Sequence, residues 1–265
     1  MNPVHHSIAR TGVLAAMAVA LAFAVGARPA AAAEYGTIKG RLVLGGTDVP
    51  QPKVDVKKGD AAKKDNAVCA AQGDLLSDEL VVDAKTRGVE SGIAYLVKPK
   101  GDNPEARKAI TAKTPKVDID QKHCKFVPHV TTLIKDQSIV FKSSDPVAHN
   151  VRISGFNNAS NVSIPPNGQL PAKLVPEPRP INLNCDIHPW MSGKIMVFDH
   201  PFFAVTKADG TFEIRGVPAG TQSLVLSHEK VGYVTPNKAK GLEVKVTAGE
   251  TTDIGDVTLD PKNFK

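Results

Sequence analysis

Apolar and polar residues alternate with period two along almost every patterned stretch after Glu34, and no stretch carries a sustained apolar stripe at helical spacing. Successive side chains of a strand point to opposite faces, so this alternation marks strands with one face buried. The pattern predicts strands over Thr37–Leu44, Ile93–Val97, Val117–Ile119, Val130–Ile134, Ser138–Lys142 and His149–Ile153. Pairing is expected to resume at Ile181 and continue over Lys194–Phe198, Thr211–Arg215 and Gln222–Ser227. Two last strands carry Leu242, Val244 and Val246, then Ile254, Val257 and Leu259. Residues 61–69 and 102–109 suit a short helix or an irregular loop equally well. Asn157–Gly168 reads as loop. The prolines at 165, 166, 171, 176, 178 and 180 keep that stretch at a surface or a sheet edge, because proline cannot donate to a ladder.

The ends change the picture. Arg10 precedes an unbroken apolar run from Val13 to Val25, too short to span a bilayer, and Ala31-Ala32-Ala33 follows it. Residues 1–33 therefore read as a signal peptide, with the mature chain beginning near Glu34 in the periplasm or outside the cell. No second long apolar run predicts a membrane span. Without Arg10 and Arg28 the net charge falls from +6 to +4, and the lysines are scattered through loops, so nothing points to nucleic acid. The expected order is an N-terminal β-rich segment over 34–114, a compact sandwich over 115–199 and a smaller β module over 200–265, an all-β protein throughout.

Three cysteines in an exported chain leave one unpaired. Cys185 has potential metal-ligand neighbours within six residues and Cys69 and Cys124 have none, so Cys69 with Cys124 is the favoured disulfide. Spacing alone leaves the other pairings open.

Cys185-Asp-Ile-His188-Pro-Trp-Met191 sets a thiolate, an imidazole and a thioether three residues apart, close enough to come from one loop. This donor set favours copper over zinc, because a thioether contributes little to zinc and stabilises Cu(I). A second imidazole is needed. His149 is the candidate, since it opens a strand directly after the Ser143-Ser144-Asp145-Pro146 turn and so lies at a sheet end. Taken singly, Cys185 would be a buried thiol and Met191 core packing; together with an upstream His-Asn they form a ligand pattern. His123, His129, His200 and His228 lack ligand spacing, although His129 is a minor candidate for a second metal contact. The chain has no C-x-x-C-H for c-type haem, no second cysteine in the loop for a binuclear copper centre, and no hydrolase signature. It is not expected to be an enzyme.

His149-Asn150-Val151 with Cys185-x-x-His188-Pro-x-Met191 resembles the copper site of the cupredoxins, most closely the amicyanin subgroup, over roughly residues 115–199. The resemblance implies a Greek-key β-sandwich with one type 1 copper ion, held in plane by His149, Cys185 and His188 with Met191 as a long axial ligand. It also implies that Asn150 bonds across to the cysteine loop, and that a redox protein docks at Pro189 and Trp190 beside the loop histidine. Ala208 to Gly220 is similar to the transthyretin-like regulatory module of carboxypeptidases, and Gly36 to Val43 to that module's opening strand. The implied function is one-electron transfer. The alternatives are a periplasmic accessory that stores or delivers copper, and a structural or carbohydrate-contacting β protein.

Overall fold

The computed structural model describes Met1 and residues 34–264; the expected signal peptide lies outside the described residues. The first half holds β1 (Tyr35–Leu44), β2 (Val54–Val56), α1 (Asn66–Cys69), β3 (Leu75–Leu76), β4 (Ile93–Leu96), α2 (Pro104–Lys113), β5 (Lys116–Lys122), β6 (Lys125–Val127) and β7 (Val130–Ile134). There follow β8 (Ser138–Ser143), β9 (His149–Ser154), β10 (Ala159–Ile164), β11 (Gln169–Ala172), β12 (Ile181–Asn184) and β13 (Ser192–Phe198). The last part holds β14 (Phe203–Val205), β15 (Thr211–Pro218), β16 (Gly220–His228), β17 (Gly232–Tyr233), β18 (Leu242–Val246) and β19 (Thr251–Leu259). The protein is all-β, as its alternation requires. Of the two ambiguous stretches, the first yields the single turn α1. The second yields α2, where Pro104 sits in the first turn and the Asn103 side chain accepts the Ala106 N–H.

Strands β10-β9-β12-β13-β7 form one sheet and β11-β8-β5-β6 another, around a core that includes Phe126, Leu133, Ile139, Phe141, Val151, Leu183 and Ile195. A second core, with Ile38, Leu42, Phe202, Phe212, Leu224 and Val244, lies within β15-β1-β19 and within β14-β4-β16-β17, where β18 also joins β16. The C-terminal strands are thus completed by β1 and β4 from the N-terminal segment. A third cluster, Ile93, Tyr95, Val130, Met196, Phe198 and Val225, joins the two bodies. That junction explains why β4 is buried at all four positions and why Ile195 to Phe198 is a continuous apolar run, since a strand covered on both faces has no polar side to alternate.

The stretch expected to be loop contains a strand. β10 pairs with β9 from Ala159↔Ser154 to Ile164↔His149, yet five of its six residues are exposed. As an edge strand it is held by backbone bonds, so its sequence has no apolar alternation to read. Pro171 lies in β11, also an edge strand, where its missing N–H costs the sheet least. Among the described residues, no helix is long and apolar enough to cross a membrane.

Candidate metal centre

His149 is the first residue of β9, with Val151 and Ile153 pointing into the core. Cys185 directly follows β12, whose Asn184 pairs with Ser192 of β13 and so forces the intervening residues into a tight loop. Within that loop the Cys185 N–H donates to the Met191 carbonyl (3.2 Å) and the Met191 N–H to the His188 carbonyl (2.9 Å). Both strands are anchored in the core, so the loop has little freedom. It brings His188 back beside Cys185 and bonds the Met191 backbone to both, and His149, Cys185, His188 and Met191 are each at most 2% exposed.

His149 Nδ1 lies 2.9 Å from His188 Nδ1, and each lies 3.9 Å from Cys185 Sγ. The outer nitrogens are occupied. His149 Nε2 donates to Asp145 Oδ2 and His188 Nε2 to Asp65 Oδ2, both at 2.9 Å. Carboxylates only accept, so they place the ring protons on Nε2 and turn both Nδ1 lone pairs towards each other and the sulfur. Two lone pairs and a sulfur converging in a buried space repel unless a cation sits among them. That arrangement suits a metal ion with nitrogen and sulfur ligands, or, without one, a shared proton. Burial pushes His149 down, but Asp145 and Cys185 outweigh it and raise the ring to about 9. Burial likewise pushes the Cys185 thiol up, and the two histidines with the Asn150 N–H bring it down to about 6.

Asn150 ties β9 to the loop. Its N–H donates to Cys185 Sγ (3.5 Å), and its Oδ1 accepts the N–H groups of Asp186 (2.7 Å) and Ile187 (3.3 Å). Pro189 is exposed and Trp190 half-buried, its ring 5.2 Å from that of His188. Cys69 and Cys124 form a disulfide, leaving Cys185 as the free cysteine among the described residues. The disulfide sulfurs also lie within 4.8 Å of a His188 nitrogen, but they are committed to each other. His129 stands apart from the cluster and pairs with Glu229.

Two residues of the site escape sequence reasoning. Asp145 was visible only as part of a turn, yet its carboxylate accepts from His149 and from the N–H groups of His123 (2.7 Å) and Cys124 (2.8 Å), and these bonds outweigh burial to hold it below the ordinary carboxylate range. Its position four residues before His149 was the available signal. Asp65 carried none, being 123 residues from His188.

No family model and no curated protein matches this sequence. Among solved structures, the chain is similar to a copper-containing nitrite reductase from Thermus scotoductus (17% identity, TM-score 0.28), over 31% of this chain and 22% of that one. It is also similar to an amicyanin variant in its Cu(I) form (15% identity, 31% of this chain and 82% of that one, TM-score 0.28). A purple cupredoxin from Nitrosopumilus maritimus matches at 16% identity over 31% of this chain and 99% of that one, again with a TM-score of 0.28. The chain thus spans about a fifth of the nitrite reductase. Its structural neighbours are cupredoxins and a copper enzyme, and the functional reading rests on the side chains of the site.

Proposed function

We propose that this is an exported copper protein that holds one copper ion with His149, Cys185, His188 and Met191 and carries single electrons to and from a redox protein partner. The observation that carries the reading is the convergence of two imidazole Nδ1 atoms, both locked by carboxylates on Nε2, on one buried thiol. Bound there, copper would supply one-electron Cu(II)/Cu(I) chemistry. The chain's own part is to hold the donors still. Asp145 and Asp65 fix the ring tautomers and planes, the Asn150 N–H stabilises negative charge on Cys185 Sγ, and the strands on either side of the loop resist its rearrangement. Burial excludes water that would compete for the donors. The Cys185 thiol and both histidine Nδ1 atoms face one another in a buried cluster, so they are available to hold a metal ion, which favours a carrier. Pro189 and Trp190, next to His188, are the proposed docking surface, and the last strands are a folding accessory.

The mature chain, loaded with copper, is expected to show an intense visible thiolate-to-copper band and a reversible one-electron wave. Cys185→Ser should remove the band while the far-ultraviolet dichroism of the sandwich persists. Retained colour in that variant would overturn the ligand assignment. Colourless Cu(I) binding without reversible oxidation would identify a copper store or carrier instead, and no copper binding would leave a structural β protein.

A further inference from the structure

His188 is wholly buried, and one of the groups that meets it, Asp65, comes from far away in sequence. Residues 54–76 form β2, α1 and β3, and the two strands pair with each other and join no other sheet. The segment's other bonds are internal as well: the Lys58 N–H donates to Asp74, the Gly59 N–H to Asn66 Oδ1, and Asn66 Nδ2 to the Lys57 carbonyl. Among the described hydrogen bonds, the one that crosses from residues 54–76 to the sandwich is Asp65 with His188. Asp65 precedes α1 in the left-handed region (φ 54°), and its side chain caps no helix N–H. That carboxylate is held out of its ordinary local use and spent on the histidine.

The segment also roofs Trp190. Val56, Ala70 and Leu75 form a small apolar cluster of their own against the indole, and Lys63 Nζ stands 5.9 Å from the ring centroid. The contact is imperfect, because the Trp190 Nε1–H is buried with no acceptor. A buried donor without a partner opposes closure, since opening would return it to water. Closure therefore rests on a few apolar contacts, one charge-assisted hydrogen bond from Asp65, the Lys125–Asp78 ion pair (2.6 Å) just beyond β3, and one covalent link. That link is the disulfide between Cys69, at the end of α1, and Cys124, in the β5–β6 turn.

We propose that residues 54–76 are a cover over the His188–Trp190 edge, latched by Cys69–Cys124, and that reduction of this disulfide by a dithiol opens it. In that step the S–S bond takes up two electrons and two protons to give two thiols, and the dithiol is oxidised to its own disulfide. Both cysteines are buried, 4% and 0% exposed, so reduction waits for a breathing motion. The latch accordingly sets a long-lived open or closed state and is too slow to act once per electron. The inference rests on the copper reading for what the cover controls, namely access to a ligand histidine. The existence of the cover is independent of any metal.

Trp190 is the chain's single tryptophan, so its fluorescence reports on this edge alone. Acrylamide quenching of the metal-free mature chain should increase severalfold after treatment with dithiothreitol, while circular dichroism and the unfolding transition of the sandwiches persist. Mass spectrometry after alkylation confirms that Cys69 and Cys124 have both become free. The double variant Cys69→Ser with Cys124→Ser should show the same raised quenching with no reductant. Unchanged quenching in either fully reduced protein or double variant would overturn the cover. So would quenching that rises only as the whole protein unfolds, because the disulfide would then be holding the sandwich. Raised quenching in a protein that binds no copper would leave the cover standing and defeat the copper reading instead.

Discussion

Asp145 shows how much one side chain can organise at this site. Its carboxylate, 4% exposed, orients His149 and at the same time satisfies two backbone N–H groups at His123 and Cys124, both held at positive φ. Two left-handed non-glycine residues in succession are unfavourable on their own, and the paired bonds to Asp145 stabilise the turn that presents Cys124 to Cys69. Asp145→Asn keeps the shape but has one acceptor oxygen where the carboxylate has two. At least one buried donor then loses its partner, and we expect a loss of about 2 kcal/mol in denaturant unfolding. Copper affinity should fall by roughly ten- to a hundredfold in chelator competition, as when a ligand histidine loses its orienting partner. A variant with unchanged affinity would mean that the β9 backbone alone orients His149.

At the scale of elements, the β9–β10 hairpin depends on a residue from neither strand. Glu177, 8% exposed, accepts the N–H groups of Phe156 (2.7 Å), Asn157 (2.8 Å) and Asn158 (2.8 Å), so one carboxylate closes the turn. β10 is exposed along most of its length and gains little from burial, which makes this cap its principal anchor beyond the ladder itself. Glu177→Ala should destabilise the protein by about 2–3 kcal/mol by leaving several donors unpaired. Hydrogen exchange should quicken over residues 155–164 and leave β12 and β13 protected; uniform quickening would contradict this local role.

At the scale of the whole molecule, the first and last parts of the chain close on each other. The Leu42 N–H donates to the Gly210 carbonyl and its own carbonyl accepts the Val89 N–H, so β1 stitches two turns together. The backbones meet so closely that a Cβ on Gly88 would lie 2.0 Å from the Asp209 carbonyl carbon. Gly88→Ala is therefore expected to cost about 3 kcal/mol or more, measured by thermal or urea unfolding, because backbone is there to be displaced. Further along the junction, burial pushes His228 down to about 4, below its ordinary value of 6.5. The unfolded chain binds a proton in that interval and the folded one does not, so stability falls as pH drops from about 6.5 towards 4. The loss from this residue reaches at most about 3 kcal/mol. His200, also pushed down by burial, acts in the same direction. His228→Gln should flatten part of that decline in unfolding experiments across the window; an unaltered pH profile would show that the histidine protonates in place.

Local order carried the sequence reading as far as it went. Strand alternation follows from one-sided burial, and Cys185, His188 and Met191 are legible as a set because one short loop holds all three, with His149 marked by the turn before its strand. The residues that complete the site are set by contacts between distant parts of the chain. Asp65 reaches His188 across 123 residues, β1 joins β15 and β19 from the opposite end, and the cover over Trp190 is closed by a disulfide spanning 55 residues. β10 stayed hidden for a different reason, since an edge strand bound through its backbone leaves no mark on its side chains. Periodicity records which face of an element is buried. Which element buries it is decided only when the chain packs, and here that choice sets what orients the histidines and what covers them.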